Sequence, residues 1–429
     1  MSRPGHPEGE HRRPLHEVGP ITSDRTPGTG LAGRALPALA MLVALVLVWR
    51  VVASGTGALL EENGATGRER LRSPLAVETP DTAWRARLAQ NPADHAAMVM
   101  LGLEYERQGK ADDARAAMAE ALRLAPANRQ TLLEAGAFHL RSGEETQALA
   151  ILRRVTDLYP EARGDVWPAF VSALDARRHD DFFAGLVRDN PAWWPAFFGH
   201  ACHKATDVDA LQRVFTARAL AGTVTADERR CLIGRLQRDD RWANAYQVWL
   251  NSLPAEQRQR IGFVFNGGFE LPLSNLGFDW TIPPQDGVDV DAQPTGGATG
   301  RRALRVDFVN KRWAGPPVQQ YLMLYPGRYR FEGRGRSDGL DTWLGVQWGL
   351  YCLPVAGKEP RQLARSGRFL ASSDWETWGD DFAVPGDCGV QVLRLELANP
   401  RRDADTPGNV AARLRGTAWF DDFRVRNLD

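Results

Sequence analysis

The hydrophobic positions of this 429-residue chain follow three successive patterns. Leu36 to Ala53, LPALAMLVALVLVWRVVA, is an apolar run with Arg50 as its single charge. Beyond a polar stretch, residues 81–258 carry the three-to-four-residue apolar spacing of amphipathic helices. Near Ile261 that spacing gives way to short alternating runs divided by Gly, Pro, Asn and Asp, the pattern of strands and turns. These patterns predict an α plus β multidomain fold: a single transmembrane helix, an α-helical solenoid and a C-terminal β-sandwich of the jelly-roll kind. The expected segments are a disordered tail over 1–34, the membrane helix over 35–53, a linker over 54–80, helical repeats over 81–258 and the sandwich over 261–429.

The apolar run reaches the roughly 20 residues a spanning helix needs if Arg50 snorkels to the headgroups, with Trp49 at the interface. A cleaved signal peptide competes with this reading. The long leader, and a Trp-Arg pair where small residues should precede cleavage, favour an uncleaved anchor. Arg3, Arg12, Arg13, Arg25 and Arg34 precede the run, whereas Arg50, Arg68, Arg70 and Arg72 follow it. That slight excess points the N-terminus to the cytoplasm.

A period of 34 residues runs through the helical region, relating Pro92, Pro126 and Pro160. The same spacing joins Met98 to Leu132, Leu101 to Ala135, Gly102 to Gly136, Tyr105 to His139, Ala114 to Ala148, Met118 to Leu152 and Ala121 to Val155. Small residues at Gly102, Gly136, Ala114 and Ala148 allow antiparallel helices to approach closely, and each proline ends a helix. Over residues 93–160 the chain resembles the tetratricopeptide repeat. Asp81 to Gln90 supplies a helix ahead of the first full unit. After Pro160 the register decays, and four to five helical pairs are expected in all. The resemblance implies a groove for a protein partner. Trp193, Trp194, Phe197 and Phe198 form either inter-repeat core or an exposed docking patch.

Candidate strands after Ile261 include FVFNGGF, FDWTI, ALRVDFV, VQQYLML, YRFEGRGR, TWLGVQWGLYC, WGDDFAVP, VQVLRLELA and AWFDDFRV. An opening motif, Asn266 to Glu270 (NGGFE) with FDW after it, and a closing motif, WFDDFRV from Trp419, together resemble galactose-binding-like sandwiches, in particular carbohydrate-binding modules. The resemblance implies a structural calcium at Glu270 and either Asp421 or Asp422. Strand alternation turns Trp419, Asp421, Phe423 and Val425 to one face, which favours Asp421 as the inward carboxylate. The alternative is that these acids bond backbone amides. Alternation also gives Leu344, Val346, Trp348, Leu350 and Cys352 to the core. Trp343, Gln347 and Tyr351 then share the other face with Tyr321, Arg394 and Glu396. Aromatic rings among donors and acceptors suit a sugar, so these six are the candidate ligand face; a solvated face, or one packed on the helices, is the alternative.

Composition changes this picture little. Lys plus Arg and Asp plus Glu number 53 each, which gives no argument for nucleic acid. Four cysteines fall as two pairs, Cys202 with Cys231 and Cys352 with Cys388, and are either two within-domain disulfides or buried thiols. His200 and His203 flank Cys202 without a further ligand at sensible spacing for a metal. No nucleophile elbow, phosphate loop, zinc-protease or dinucleotide motif is present. The order anchor, repeats, sandwich resembles bacterial envelope proteins. It implies a non-catalytic scaffold in envelope or exopolysaccharide assembly, held in the inner membrane with its folded domains in the periplasm. Its partners would be a protein in the repeat groove and a polysaccharide on the sandwich. The alternative is an adaptor whose sandwich is structural or protein-binding.

Overall fold

The computed structural model describes residues 80–312, 316–342, 344–353, 360–398 and 413–429. Helix α1 (Pro80–Gln90) precedes five antiparallel pairs: α2 (His95–Arg107) with α3 (Ala111–Leu124), α4 (Arg129–Arg141) with α5 (Glu145–Leu158), α6 (Arg163–Ala176) with α7 (Asp180–Asp189), α8 (Trp194–Lys204) with α9 (Val208–Leu220), and α10 (Ala226–Arg238) with α11 (Trp242–Ser252). A short α12 (Ala255–Arg258) ends the region.

Equivalent residues make equivalent local structure. Asp94 and Asn128, one period apart, cap α2 and α4 by accepting from the amides of Ala97 and Thr131. Gly109 and Gly143 take positive φ of 73° and 75° in the turns inside the first two pairs. A Cβ on Gly102 would lie 3.0 Å from Met118, and one on Gly136 would lie 2.6 Å from Leu152, so these glycines set how closely paired helices pack. Leu101, Tyr105, Ala114, Met118, Ala121, Leu132, Ala135, His139, Ala148, Leu152 and Val155 are all buried, whereas Met98 is half-buried. Pro126 and Pro160 are exposed at helix junctions.

Bonds between successive units explain why the register fades. Glu106 and Arg141 are 35 residues apart, His179 and Glu145 34, and Trp193 and Asp157 36. Thr206 with Asp175 spans only 31, and Asn244 with Gln212 only 32. The later units are shorter, so a 34-residue comparison slides out of phase. Trp193, Trp194, Phe197 and Phe198 are at most 3% exposed, which makes them core between units rather than a docking patch.

Two sheets follow, with every pairing antiparallel. The five-stranded sheet has the order β1–β2–β9–β4–β7 and the four-stranded sheet β3–β8–β5–β6. The strands are β1 (Val288–Pro294), β2 (Arg302–Arg312), β3 (Gln319–Leu322), β4 (Gly327–Asp341), β5 (Val346–Cys352), β6 (Arg361–Arg365), β7 (Ala371–Val384), β8 (Gln391–Leu397) and β9 (Arg413–Asn427). Between the sheets lie Trp280, Trp348, Phe420 and Phe423, with Trp348 and Phe423 centroids 4.7 Å apart.

FVFNGGF and FDWTI, expected as strands, are not strands. They belong to a turn-rich segment whose Thr281 makes an isolated bridge to Gln319. Asn266, Phe269 and Asn275 all have positive φ, which breaks any ladder. The segment still buries Phe265, Phe269, Phe278 and Trp280, so its apolar alternation reflects burial without strand pairing. It also joins the sandwich to α11: Trp249 packs edge-on against Phe265 at 5.2 Å, and Trp242 lies 5.0 Å from Tyr321.

The fold class is corrected in one respect. Among the described residues no helix is long and apolar enough to cross a membrane. The transmembrane helix is therefore unsupported, and with it the single-pass inner-membrane location. The expected tail, span and most of the linker, residues 1–79, lie outside the described residues.

Candidate functional site

The face of the four-stranded sheet turned away from the core brings four of the six candidate ligand residues together. Across β5 and β8, Gln347 pairs with Glu396, Gly349 with Arg394 and Tyr351 with Val392, so these side chains leave the same side. Trp348, Leu350, Leu393 and Leu395 leave the other side and are fully buried. Glu396 is the hub. Its Oε1 accepts from the Tyr351 hydroxyl and from Gln347 Nε2 at 3.3 Å, and its Oε2 accepts from Arg394 Nε at 3.1 Å. The Arg394 guanidinium lies 4.2 Å above the Tyr351 ring. A Cβ on Gly349 would stand 2.5 Å from that ring and 2.9 Å from Glu396, so the glycine makes room for the cluster.

Burial sorts these residues by what they can offer. Tyr351 is 1% exposed and Gln347 8%, so both support the cluster from below. The side chains of Arg394 and Glu396 keep 19% and 16% exposure and present a donor fork beside a carboxylate. Tyr321 stands apart, packed on Trp242 of α11, with burial pushing its phenol pKa up. Trp343 lies outside the described residues.

Glu270 and Asp421 converge on the loop between β1 and β2. Glu270 Oε1 accepts from the amides of Arg301 at 2.7 Å and Arg302 at 2.9 Å. Asp421, fully buried, accepts from the Thr299 amide at 2.6 Å and the Asp422 amide at 2.7 Å. Amide bonds hold Glu270 below its ordinary pKa, whereas burial raises that of Asp421. Asp422 turns aside to pair with Arg424 at 2.5 Å. The parity argument for Asp421 is corrected. Ala418 and Phe420 face the core before the pair, Phe423 and Val425 after it, and Asp422 has φ 59° where the register against β4 shifts. Asp421 is thus on the outward side with Trp419, buried by the loop instead of by the core.

The groups that meet these carboxylates are N–H donors, on Glu270 Oε1 and on both Asp421 oxygens. Calcium needs six to eight oxygen ligands. Among the described residues no three His, Cys, Asp or Glu side chains gather as a metal site. The arrangement fits an amide clasp on the loop.

Cys352 and Cys388 form a disulfide with Cα atoms 5.6 Å apart. For the other pair, left open between disulfide and thiols, the structure has free thiols: Cys202 on α8 is buried and Cys231 on α10 half-buried. Contact with Cys202 lowers the Cys231 thiol to about 7, while the same contact pushes Cys202 up.

The sequence reading missed an aromatic and arginine stack on the outer face of the five-stranded sheet. Arg336 sits 4.1 Å over Trp419 and 5.7 Å from Trp375, and Arg334 sits 5.1 Å over Trp375. Arg334 and Arg336, two apart in the RGR of β4, were the signal for a shared face.

A helical repeat domain followed by a two-sheet sandwich is thus the class of molecule that the fold defines. The tetratricopeptide repeat family model matches residues 106–168. Among solved structures, a family 4 carbohydrate-binding module is 17% identical, with 38% of this chain and 99% of that chain covered and a TM-score of 0.28. TmCBM61, in complex with β-1,4-galactotriose, is 16% identical over 39% of this chain and 99% of that one, with a TM-score of 0.27. The CBM22-1 xylan-binding domain from Paenibacillus barcinonensis Xyn10C is 14% identical over 35% and 86%, with a TM-score of 0.26. Among curated proteins none matches the chain. The sandwich architecture stands on its own strand pairing.

Proposed function

We propose that the chain is a non-catalytic scaffold in exopolysaccharide assembly, its helical repeats holding a protein partner and its four-stranded sheet holding a glycan. The observation that carries the glycan half is the Glu396 cluster. Four side chains from two strands are bonded into one arrangement, and its exposed edge offers the Arg394 fork and a carboxylate side by side. Sugar hydroxyls need a donor and an acceptor at that spacing. Because Tyr351 and Gln347 already hold Glu396, little order has to be gained on binding.

A second reading has its own observation. Tyr321 is covered by Trp242, and the Tyr351 ring is covered by Arg394, so neither ring is free to stack on a sugar. This favours a sandwich that caps the repeats and binds no glycan. Affinity electrophoresis of the full chain through gels containing polysaccharides separates the two. Retardation that Arg394→Ala abolishes supports the glycan reading; unretarded migration in every polysaccharide supports the cap.

A further inference from the structure

The helical domain holds two thiols that neither a partner groove nor the glycan face uses. Of the four cysteines in the chain, Cys352 and Cys388 are already bridged in the sandwich. Cys202 on α8 and Cys231 on α10 are the other two, and both are free. These helices open successive units and pack side by side. Bonds between them fix the level at which the cysteines meet. Arg235 Nη1, one turn beyond Cys231, donates to the Cys202 carbonyl at 2.8 Å. The Cys231 thiol points to the Gly199 carbonyl, one turn before Cys202, at 3.9 Å. One turn before Cys231, Glu228 accepts from Trp194 of α8 at 2.8 Å. Each cysteine therefore lies on the helix face turned to the other, and the two thiols are in contact.

Their surroundings give them separate roles. Cys202 is 0% exposed, so no reagent reaches it directly. Cys231 is half-buried and lies beside Gly199, where an added Cβ would meet nothing within 4 Å. A small molecule can therefore approach Cys231 but not Cys202. Around Cys231 stand His203, Arg235 and Arg238, and His203 Nδ1 donates to the same Gly199 carbonyl at 2.8 Å. Contact with Cys202, and then these basic side chains, hold the Cys231 thiol below its ordinary value, which favours the nucleophilic thiolate. That contact, with burial, pushes Cys202 up, so Cys202 keeps its proton until Cys231 has reacted. Once Cys231 carries a neutral sulfur substituent, its charge no longer opposes a Cys202 thiolate, and Arg235 and Arg238 favour one. An accessible thiolate beside a buried second thiol is the arrangement of a reacting and a resolving cysteine.

We propose that Cys202 and Cys231 form a reversible dithiol–disulfide site, oxidised by exchange with a small-molecule disulfide that enters at Cys231. The Cys231 thiolate attacks one sulfur of that disulfide. The small molecule's S–S bond breaks, and the thiolate released takes up the proton that Cys231 gave to solvent. Cys202 then attacks the Cys231 sulfur. The mixed bond breaks, the Cys202–Cys231 bond forms, and the Cys202 proton passes to the second departing thiolate. Two protein thiols are oxidised and one small disulfide is reduced to two thiols. The bridge ties α10, which opens the unit that meets the sandwich, to the unit before it. The site stands on the helices alone and does not rest on the glycan reading.

The test incubates the folded full chain with oxidised glutathione and follows intact mass and non-reducing peptide maps. The expected product is a Cys202–Cys231 cross-linked peptide with a mass loss of about 2 Da and no lasting glutathione adduct. Excess reduced glutathione restores both thiols. Cys202→Ala stops at one stable adduct on Cys231, whereas Cys231→Ala leaves Cys202 unmodified. Circular dichroism confirms that each variant is folded. An adduct that persists on Cys231 of the parent without a bridge overturns the proposal. So do two unreacted thiols in the parent after the denatured chain has been fully modified. A bridge that excess reduced glutathione leaves intact would be a structural disulfide, and it too overturns the reversible site.

Discussion

Gly267 shows how one residue carries the resemblance between the two ends of the sandwich. A Cβ there would lie 2.1 Å from the Phe423 carbonyl oxygen, and the Phe423 amide donates to the Gly267 carbonyl at 2.9 Å. The opening NGGFE motif thus lies directly on the closing strand. Gly267→Ala is expected to destabilise the chain by about 3 kcal/mol, read from urea unfolding, because backbone has to move. Gly136→Ala meets the side chain of Leu152 and no backbone, and costs less. Equal effects would show that the Gly267 contact is not as close as described. Glu270 carries a pH prediction. Its pKa is lowered in the folded state, so its contribution is complete above the ordinary value of 4.5 and lost as pH falls through the lowered value. Glu270→Gln therefore melts lower than the parent at neutral pH, and the gap closes in acid. Since amides hold the loop, a chelator leaves the melting temperature of the parent unchanged. A rise of several degrees on adding calcium would show instead that a cation completes the clasp. At this scale the parity argument for Asp421 failed. A bulge cannot be seen in an alternation that it preserves.

The helical elements were legible because caps, glycines and prolines recur together at a fixed spacing. A strand is harder to read, since burial in a turn-rich segment imitates its alternation, as Phe263 to Phe269 does. The α10 element hides something that no periodicity reveals. Thr225 and Glu228 form a capping box, and Glu228 also accepts from Arg218 Nε at 2.8 Å and Trp194 Nε1 at 2.8 Å. Arg218 and Glu228 are each 1% exposed, and the guanidinium lies 5.0 Å over the Trp194 ring. Removing one partner of such a pair leaves the other buried and uncompensated. Glu228→Ala is expected to cost about 3–5 kcal/mol in chemical unfolding, and far more than Glu120→Ala, whose carboxylate on α3 is exposed. A loss at Glu228 no larger than that at Glu120 would refute the network.

For the whole molecule, the helices end at Arg258 and the first strand begins only at Val288, and the junction between them was not legible in the sequence. Trp242, Tyr246 and Trp249 reach Phe278, Phe265 and Tyr321 across it, contacts between residues distant in sequence that no local pattern encodes. This seam should make helices and sandwich unfold together, so that far-ultraviolet helical signal and near-ultraviolet tryptophan signal share one thermal midpoint. Two separated midpoints would mean that the seam is too weak to couple them. The same seam took Tyr321 out of the expected sugar face and left Arg394 and Glu396 as its exposed edge. The central claim, a scaffold that carries a glycan on that edge, is tested most directly by affinity electrophoresis of the full chain beside its Arg394→Ala variant. The account predicts retardation of the parent in at least one polysaccharide gel and free migration of the folded variant. Unretarded migration of the parent throughout, or equal retardation of both, would contradict it.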